Sequence, residues 1–313
     1  MYPHLIYIPT GVDWLGPIDL PAYFTMVMVG YTLSILLLRR WGLKNGVSAA
    51  RLIDLGLYMV LFGIGGARLL HIFVDGHFWD YVNACVDPSK VDWDVSMSRC
   101  EKLGGVWDSA AEACHPAEKN CWAWAQVWNG GFVFYGGLIA ASAFGIWFII
   151  RQKMPLLKIL DAMGWAIPFG VFWGRMGCFL GGCCFGARTD LPWGVSFPAY
   201  SPAAHLHFKM GLLAKRGLAS LPVHPTQLYE GLFMLILSAV IYFYIGPRRK
   251  YHGQMFCIMI AGYAVFRFLV EFIRRDERGG LWLLSTSQII SILGIAVIIW
   301  AAGRFRAMSQ GKT

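Results

Sequence analysis

The sequence predicts an all-α polytopic membrane protein with seven transmembrane helices, and three observations carry that expectation. Hydrophobic residues make up 57% of the 313-residue chain and charged residues 14%, with a mean hydropathy of +0.52; so little charge leaves too few polar groups to clothe a water-soluble body. Apolar runs close to the roughly 20 residues that cross a hydrocarbon layer recur seven times along the chain. The basic residues cluster between these runs. The net charge of +9 therefore reads as orientation in a membrane, not as a phosphate-backbone footprint, and nucleic acid is not an expected partner.

The expected spans are residues 20–38, 51–73, 131–150, 158–178, 227–245, 254–273 and 287–303. The chain does not open on a basic stretch, a short apolar run and a small-residue cleavage site, so the first span itself is expected to drive insertion. Arg39, Arg40, Lys44 and Arg51 lie between spans one and two, Arg151, Lys153 and Lys158 between three and four, and Arg248, Arg249 and Lys250 between five and six. Arg304, Arg306 and Lys312 follow span seven. All four sets fall on one side, which the positive-inside rule makes cytoplasmic, so the N-terminus is expected outside and the C-terminus inside.

Two longer pieces lie on the opposite side. Residues 75–129 are mildly acidic (Asp80, Asp87, Asp92, Asp94, Glu101, Asp108, Glu112, Glu118) and hold Cys85, Cys100, Cys114 and Cys121. An even set of cysteines on an extracytoplasmic loop reads as a disulfide framework with three possible pairings, since the spacings match no common zinc pattern. Residues 185–224, rich in Pro and Trp, are expected to form an irregular cap over the outer leaflet. The whole chain is expected to be one membrane domain carrying these two appendages.

Ionisable groups inside apolar runs cost about 2.5–3.5 kcal/mol each on insertion scales, which makes Arg68, Arg175, Glu230, Arg267 and Glu271 functional candidates. Snorkelling or a structural ion pair competes with function about evenly for Arg68 and Asp161. Tyr263, Arg267 and Glu271 recur every fourth residue and share one helical face, which Arg274 is expected to continue outward. The spacing suggests that Glu271 holds the Arg267 guanidinium while its remaining donors face a ligand, and a planar donor fork suits a phosphodiester. In His224-Pro225-Thr226-Gln227-Leu228-Tyr229-Glu230 the polar side chains enter an apolar span, which favours a cavity-facing role over a mere helix cap. Asn129-Gly130-Gly131-Phe132-Val133-Phe134-Tyr135-Gly136-Gly137-Leu138 opens span three; its paired glycines permit either close helix packing or approach of backbone N–H groups to a phosphate. The stretch from Gly174 to Gly186 places Arg175, three cysteines and five glycines where an apolar run ends, and reads as the wall of a site for an anionic headgroup.

These motifs together resemble the bacterial prolipoprotein diacylglyceryl transferase family, in the same order and over nearly the whole chain. Gly174-Arg175-x-Gly177-x-Phe179-x-x-Gly182-x-x-x-Gly186 is similar to the family's central motif, His224 to Glu230 to its HPSQLYE stretch, and Arg267-Phe268-Leu269-Val270-Glu271-Phe272-x-Arg274 to its RFxVEFxR stretch. Leu284-Ser285-Thr286-Ser287-Gln288-Ile289 is similar to the start of its last span, and Tyr23 and Asp161 fall where the family has functional polar residues. The resemblance implies seven spans in the bacterial inner membrane, phosphatidylglycerol as donor, and transfer of its diacylglyceryl group to the lipobox cysteine of a preprolipoprotein, with glycerol phosphate released. No cofactor and no metal are implied.

Carried onto this chain, the expected catalytic residues are Arg175, Arg267, Tyr135, Glu271 and Glu230. The expected substrate-binding set adds Tyr23, Gly136, Gly137, Cys178, Gly186, His224, Gln227, Tyr263 and Arg274 to the two arginines. The chain departs from the family where its HGGL histidine is Tyr135 and where the asparagine and glutamate of the central motif are Cys178 and Cys183. A phenol, titrating near 10, is a poor base, so the arginines, Glu230 or His224 must ease ionisation of the acceptor thiol, whose free pKa is about 8.5. Two other readings fit parts of the sequence: a lipid-binding relative without this activity, and a membrane thiol oxidoreductase using Cys178, Cys183 and Cys184. The absence of a CxxC pair and the strained ring of an adjacent-cysteine disulfide weigh against the second, and the C-x4-C-C spacing is not diagnostic of zinc.

Overall fold

The computed structural model describes residues 4–8, 18–74, 76–92, 100, 105–109, 113–126, 131–215, 217–274, 280–281 and 284–309. Asn129, Gly130, Asp94, Glu101, Glu112 and Lys312 of the sequence reading lie outside them. Among the described residues six helices are long and apolar enough to cross a membrane: α1 (Ala22–Lys44), α2 (Ala49–Val74), α4 (Phe134–Arg151), α5 (Leu156–Gly181), the helix beginning with α7 (Thr226–Ala239), and α9 (Thr286–Ser309). Helix α7 continues through a π-helical segment, Val240–Ile245, to Arg248. The sixth expected span is a shorter apolar helix, α8 (Gln254–Val270), of 17 residues, about 25 Å long at 1.5 Å per residue. Large apolar side chains remain on the outside of these helices, Leu61, Ile150, Phe243 and Ile299 among them, as lipid-facing surface requires. The short β-hairpin β1 (His4–Ile8) with β2 (Ile18–Pro21) precedes α1.

The chain divides into two compact units, Met1–Leu52 with Pro155–Thr313, and Ile53–Met154. In the first, α1, α7 and α8 pack on α5, and α9 packs on α8. Small residues set the closeness of these contacts: a Cβ on Gly164 would lie 2.6 Å from the carbonyl carbon of Met255, and one on Gly30 would overlap the Trp173 side chain. Asp161, on α5 and 1% exposed, accepts hydrogen bonds from the N–H groups of Gly253 (2.9 Å) and Met255 (3.0 Å). It thereby caps the N-terminus of α8 from a neighbouring helix, with Arg249 and His252 within 3.8 and 3.5 Å. This is a structural use of a buried carboxylate. Helix α9 opens on a reciprocal capping box, the Gln288 N–H donating to Ser285 Oγ at 3.2 Å and the Ser285 N–H to Gln288 Oε1 at 3.0 Å.

The segment between α5 and α7, expected to be irregular from its prolines, contains a helix. Ser201 caps a short helix, α6 (Pro202–Lys209), by accepting from the Ala204 N–H at 3.2 Å. Phe197, Ala203 and Val223 form a fully buried cluster beneath it, against which Phe179, Phe185 and Val195 pack.

In the second unit, a Cβ on Gly66 of α2 would overlap Ala140 of α4, and one on Gly136 would overlap the Gly66 carbonyl. Phe62 and Phe144 stack between the same two helices at 3.9 Å. Beyond α2 come α3 (Phe78–Val86) and a hairpin of β3 (Gly105–Asp108) with β4 (Ala113–Pro116). Disulfides join Cys85 to Cys121 and Cys100 to Cys114. Arg68, 6% exposed, donates to the carbonyls of Trp124 (2.9 Å), Ala123 (3.0 Å) and Gly131 (3.3 Å) and lies over the Tyr81 ring. Its guanidinium therefore ties the loop to α2.

Candidate active site

Three helices of the first unit meet at one carboxylate. Glu230, on the first turns of α7 and 1% exposed, accepts from Arg175 Nη2 of α5 at 2.7 Å and from Tyr263 Oη of α8 at 3.2 Å. A charge so buried persists only when it is paired and hydrogen-bonded. One turn beyond Tyr263, Arg267 pairs with Glu271 at 3.0 Å and donates to Ser287 Oγ of α9 at 3.2 Å. Its other terminal nitrogen, Nη1, is buried and without a hydrogen-bond partner among the described residues. The charges of both arginines act on Tyr263, so the two guanidiniums belong to one electrostatic neighbourhood. Helix α8 ends at Val270, and Arg274 follows a turn in which its N–H donates to the carbonyls of Val270 and Glu271, each at 3.2 Å. Arg274 thus reaches the site from beyond the helix end and does not continue the helical face.

The chain leaving α5 is bent sharply. Gly182, the C-cap residue, has φ 70° and Cys184 φ 61°, a conformation natural to glycine and costly for cysteine, so surrounding contacts must impose it. The start of α7 supplies them: Gln227 Nε2 donates to the Cys183 carbonyl at 2.6 Å and Thr226 Oγ1 to the Cys184 carbonyl at 2.9 Å. Gly186 and the 224 segment exchange hydrogen bonds, the Gly186 N–H to the His224 carbonyl and the His224 N–H to the Ala187 carbonyl, both 2.9 Å. A Cβ at Gly186 would stand 2.7 Å from Thr226 Cγ2, so only glycine fits. The Ala187 N–H donates to the Ile273 carbonyl at 3.0 Å, tying this wall to the segment that bears Arg274. Trp193 Nε1 donates to Tyr229 Oη at 2.8 Å, and His224 Nδ1 lies 3.4 Å from the same oxygen.

The sulfurs of Cys178, Cys183 and Cys184 all lie within 4.8 Å of one another. The Cys184 thiol is held well below the usual thiol range, first by the neighbouring thiols of Cys178 and Cys183 as hydrogen-bond donors and then by the charges of Arg175 and Arg274. Tyr23 of α1 is close enough to feel Arg175 and all three sulfurs, and its backbone closes on Gly177, where a Cβ would lie 3.0 Å from Tyr23 Cα.

Comparisons with known proteins identify the family. A family model described as prolipoprotein diacylglyceryl transferase matches residues 9–303. The chain belongs to that family. It is 27% identical over 286 residues to phosphatidylglycerol--prolipoprotein diacylglyceryl transferase of Clostridium tetani, covering 91% of this chain and 93% of that one. The protein of the same name from Actinobacillus pleuropneumoniae is 29% identical over 308 residues, covering 94% of each chain. That of Proteus mirabilis is 35% identical over 204 residues, covering 60% of this chain and 68% of its own.

Of the residues expected from the family, Arg175, Glu230 and Tyr263 are in direct contact, as are Arg267 and Glu271. Tyr23, Cys178, Gly186, His224, Gln227 and Arg274 belong to the same unit. Tyr135, Gly136 and Gly137 belong to the Ile53–Met154 unit. There the Gly136 and Gly137 N–H groups both donate to the Val133 carbonyl (3.1 and 3.3 Å), and their Cα atoms press on α2. Of the two roles open to these paired glycines, helix packing is the one the structure displays, with both N–H groups bonded to the Val133 carbonyl. Tyr135 is half exposed. Ser287, Thr226 and Trp193 are not among the site residues expected from the sequence. A serine on a helix's first turn or a tryptophan in a cap has many ordinary uses, and only the fold brings these side chains to Arg267, Cys184 and Tyr229.

Proposed function

We propose that this protein transfers the diacylglyceryl group of phosphatidylglycerol to the cysteine thiol of a preprolipoprotein lipobox. The observation that carries the reading is the pair of arginines, each anchored by its own carboxylate, with Arg267 Nη1 buried and unengaged among the described residues. A membrane protein keeps such a donor only if something anionic completes it, and the family's substrates supply a phosphodiester. The acceptor thiolate attacks the glyceryl carbon. A C–S bond forms, the C–O bond to phosphate breaks, and glycerol phosphate leaves with the electron pair. Arg175 and Arg267 stabilise the charge that develops on the leaving phosphate. Glu230 and Glu271 are positioning residues that hold the two guanidiniums, Tyr263 donates to Glu230, and Gln227 and His224 fix the wall that faces the lipid. Tyr135 stays a catalytic candidate only on the resemblance of Tyr135-Gly136-Gly137-Leu138 to the family's HGGL stretch.

The basic clusters support an N-terminus outside and a C-terminus in the cytoplasm, with the bacterial inner membrane as the location. The 75–129 loop and the 185–224 cap then lie on the outer side, where disulfides persist. The test is lipidation of a fluorescent lipobox peptide by the purified protein in phosphatidylglycerol bilayers. Arg175→Ala and Arg267→Ala should each abolish thioether formation while the helical fold survives. Full activity in both variants refutes the reading.

A further inference from the structure

Three free thiols converge on the chain reversal after α5. Cys178 is buried, Cys183 and Cys184 are half-buried, and every pair of sulfurs is within 4.8 Å. Thiolates bound 2.3 Å from one tetrahedral cation stand about 3.8 Å apart, so small side-chain rotations suffice to close the set. Successive residues ordinarily point their side chains apart. Here the left-handed turn at Cys184 (φ 61°) brings adjacent sulfurs round to the sulfur one helical turn behind. The two carbonyls of the reversal are held by Gln227 and Thr226 from α7, so the arrangement is pre-organised. Two sulfurs at bonding distance would mark a disulfide, as at Cys85–Cys121 and Cys100–Cys114; three free sulfurs within 4.8 Å of one another can instead surround one cation.

We propose that Cys178, Cys183 and Cys184 form a binding site for a thiophilic divalent cation of the zinc class, whose fourth position takes the acceptor thiol of the transfer reaction. Three protein ligands leave a tetrahedral cation one position short, the arrangement of sites that bind a substrate or water. A thiol entering that position loses its proton to solvent and is presented as a thiolate. It then attacks the glyceryl carbon and the phosphate ester leaves, as above. The cation half of the proposal stands alone; the acceptor half rests on the proposed transfer activity. A free thiol of pKa about 8.5 is roughly 3% ionised at pH 7, so coordination enlarges the thiolate fraction about 30-fold. The lower nucleophilicity of a bound thiolate reduces the net gain to about 10-fold.

Full-length protein in detergent is loaded with Zn2+ or Co2+, freed of excess metal, and assayed for metal per chain and for Co2+–thiolate charge-transfer absorption. Wild type and Cys257→Ser should retain one equivalent, and Cys178→Ser and Cys183→Ser should lose it. Absence of retained metal in wild type, or full occupancy in Cys183→Ser, overturns the site. Because a serine variant can misfold, wild-type protein is also alkylated with and without Zn2+. Protection of the three thiols supports the site, and equal labelling overturns it. In bilayers, chelation should lower peptide lipidation about 10-fold at pH 7, less at pH 9, with recovery on adding Zn2+. Equal rates with and without Zn2+ overturn the acceptor role alone. Metal binding with no lipidation under any condition overturns the transfer activity and leaves the cation site standing.

Discussion

Replacing Glu230 tests the centre of the site most directly, because one carboxylate oxygen receives both Arg175 (2.7 Å) and Tyr263 (3.2 Å) while 1% of the residue is exposed. In Glu230→Gln an oxygen acceptor remains but the charge is gone. Two charge-assisted bonds of about 1.5–3 kcal/mol each fall to about 0.5–1.5, a loss of roughly 2–3 kcal/mol. Glu230→Ala removes the acceptor as well and strands a guanidinium whose side chain is 22% exposed, which costs about 3–5 kcal/mol. If Arg175 loses its orientation, the same 2–3 kcal/mol off the transition state slows transfer by roughly 30–150-fold. Stability is read from denaturant titration in mixed micelles, and the rate from thioether formation on a labelled lipobox peptide. Arg175→Met combined with Glu230→Ala should be less unstable than Glu230→Ala alone, since no buried charge is left without a partner. The reasoning fails if Glu230→Ala unfolds within about 0.5 kcal/mol of wild type and transfers at an undiminished rate.

Asp161→Ala should loosen the start of α8 by about 1–2 kcal/mol, because the Gly253 and Met255 N–H groups both lose their acceptor; faster amide exchange at these two positions is the readout. Reducing Cys100–Cys114 and Cys85–Cys121, which span sequence separations of 14 and 36, should destabilise the loop by about 3 and about 4 kcal/mol respectively. Proteolysis within 85–121 after reduction, with the membrane helices intact, checks this. His207, buried in the cap, accepts from the Leu221 N–H at Nδ1 (3.1 Å), and burial, aided by Arg188, holds its pKa below the ordinary value of 6.5. The folded cap therefore excludes a proton that the unfolded chain takes up below about pH 6.5. Its stability should be complete above that pH and decline as pH falls toward the folded pKa, seen as a falling protection factor of the Leu221 amide, relative to its intrinsic exchange rate, between pH 7 and 5. A flat profile contradicts this.

The sequence by itself determined the spans, since an apolar run of the right length can satisfy its backbone in lipid only as a helix. Each of the seven expected segments is matched by a helix; α1 and α9 run six residues past their expected ends, to Lys44 and Ser309, and α8 stops three short, at Val270, where the polar turn around Glu271 and Arg274 begins. Spacing along one helix likewise predicted the Arg267–Glu271 pair, because residues four apart share a face. What joins different helices was not legible. Asp161 shows the same burial signal whether it touches a ligand or caps α8, and the partner that decides between them lies about ninety residues away in the chain. Glu230 could have met Arg175, Arg267 or neither, and only the packing of α5, α7 and α8 chose. The paired glycines Gly136 and Gly137 carry no side chain to reveal whether a helix or a phosphate comes close, and α2 fills that place. The three cysteines are the sharpest case. Their spacing matches no metal pattern, and it is the left-handed turn at Cys184, imposed by Thr226 and Gln227 from another helix, that gathers their sulfurs. Backbone conformation enforced by distant contacts leaves no local trace in the residues it bends.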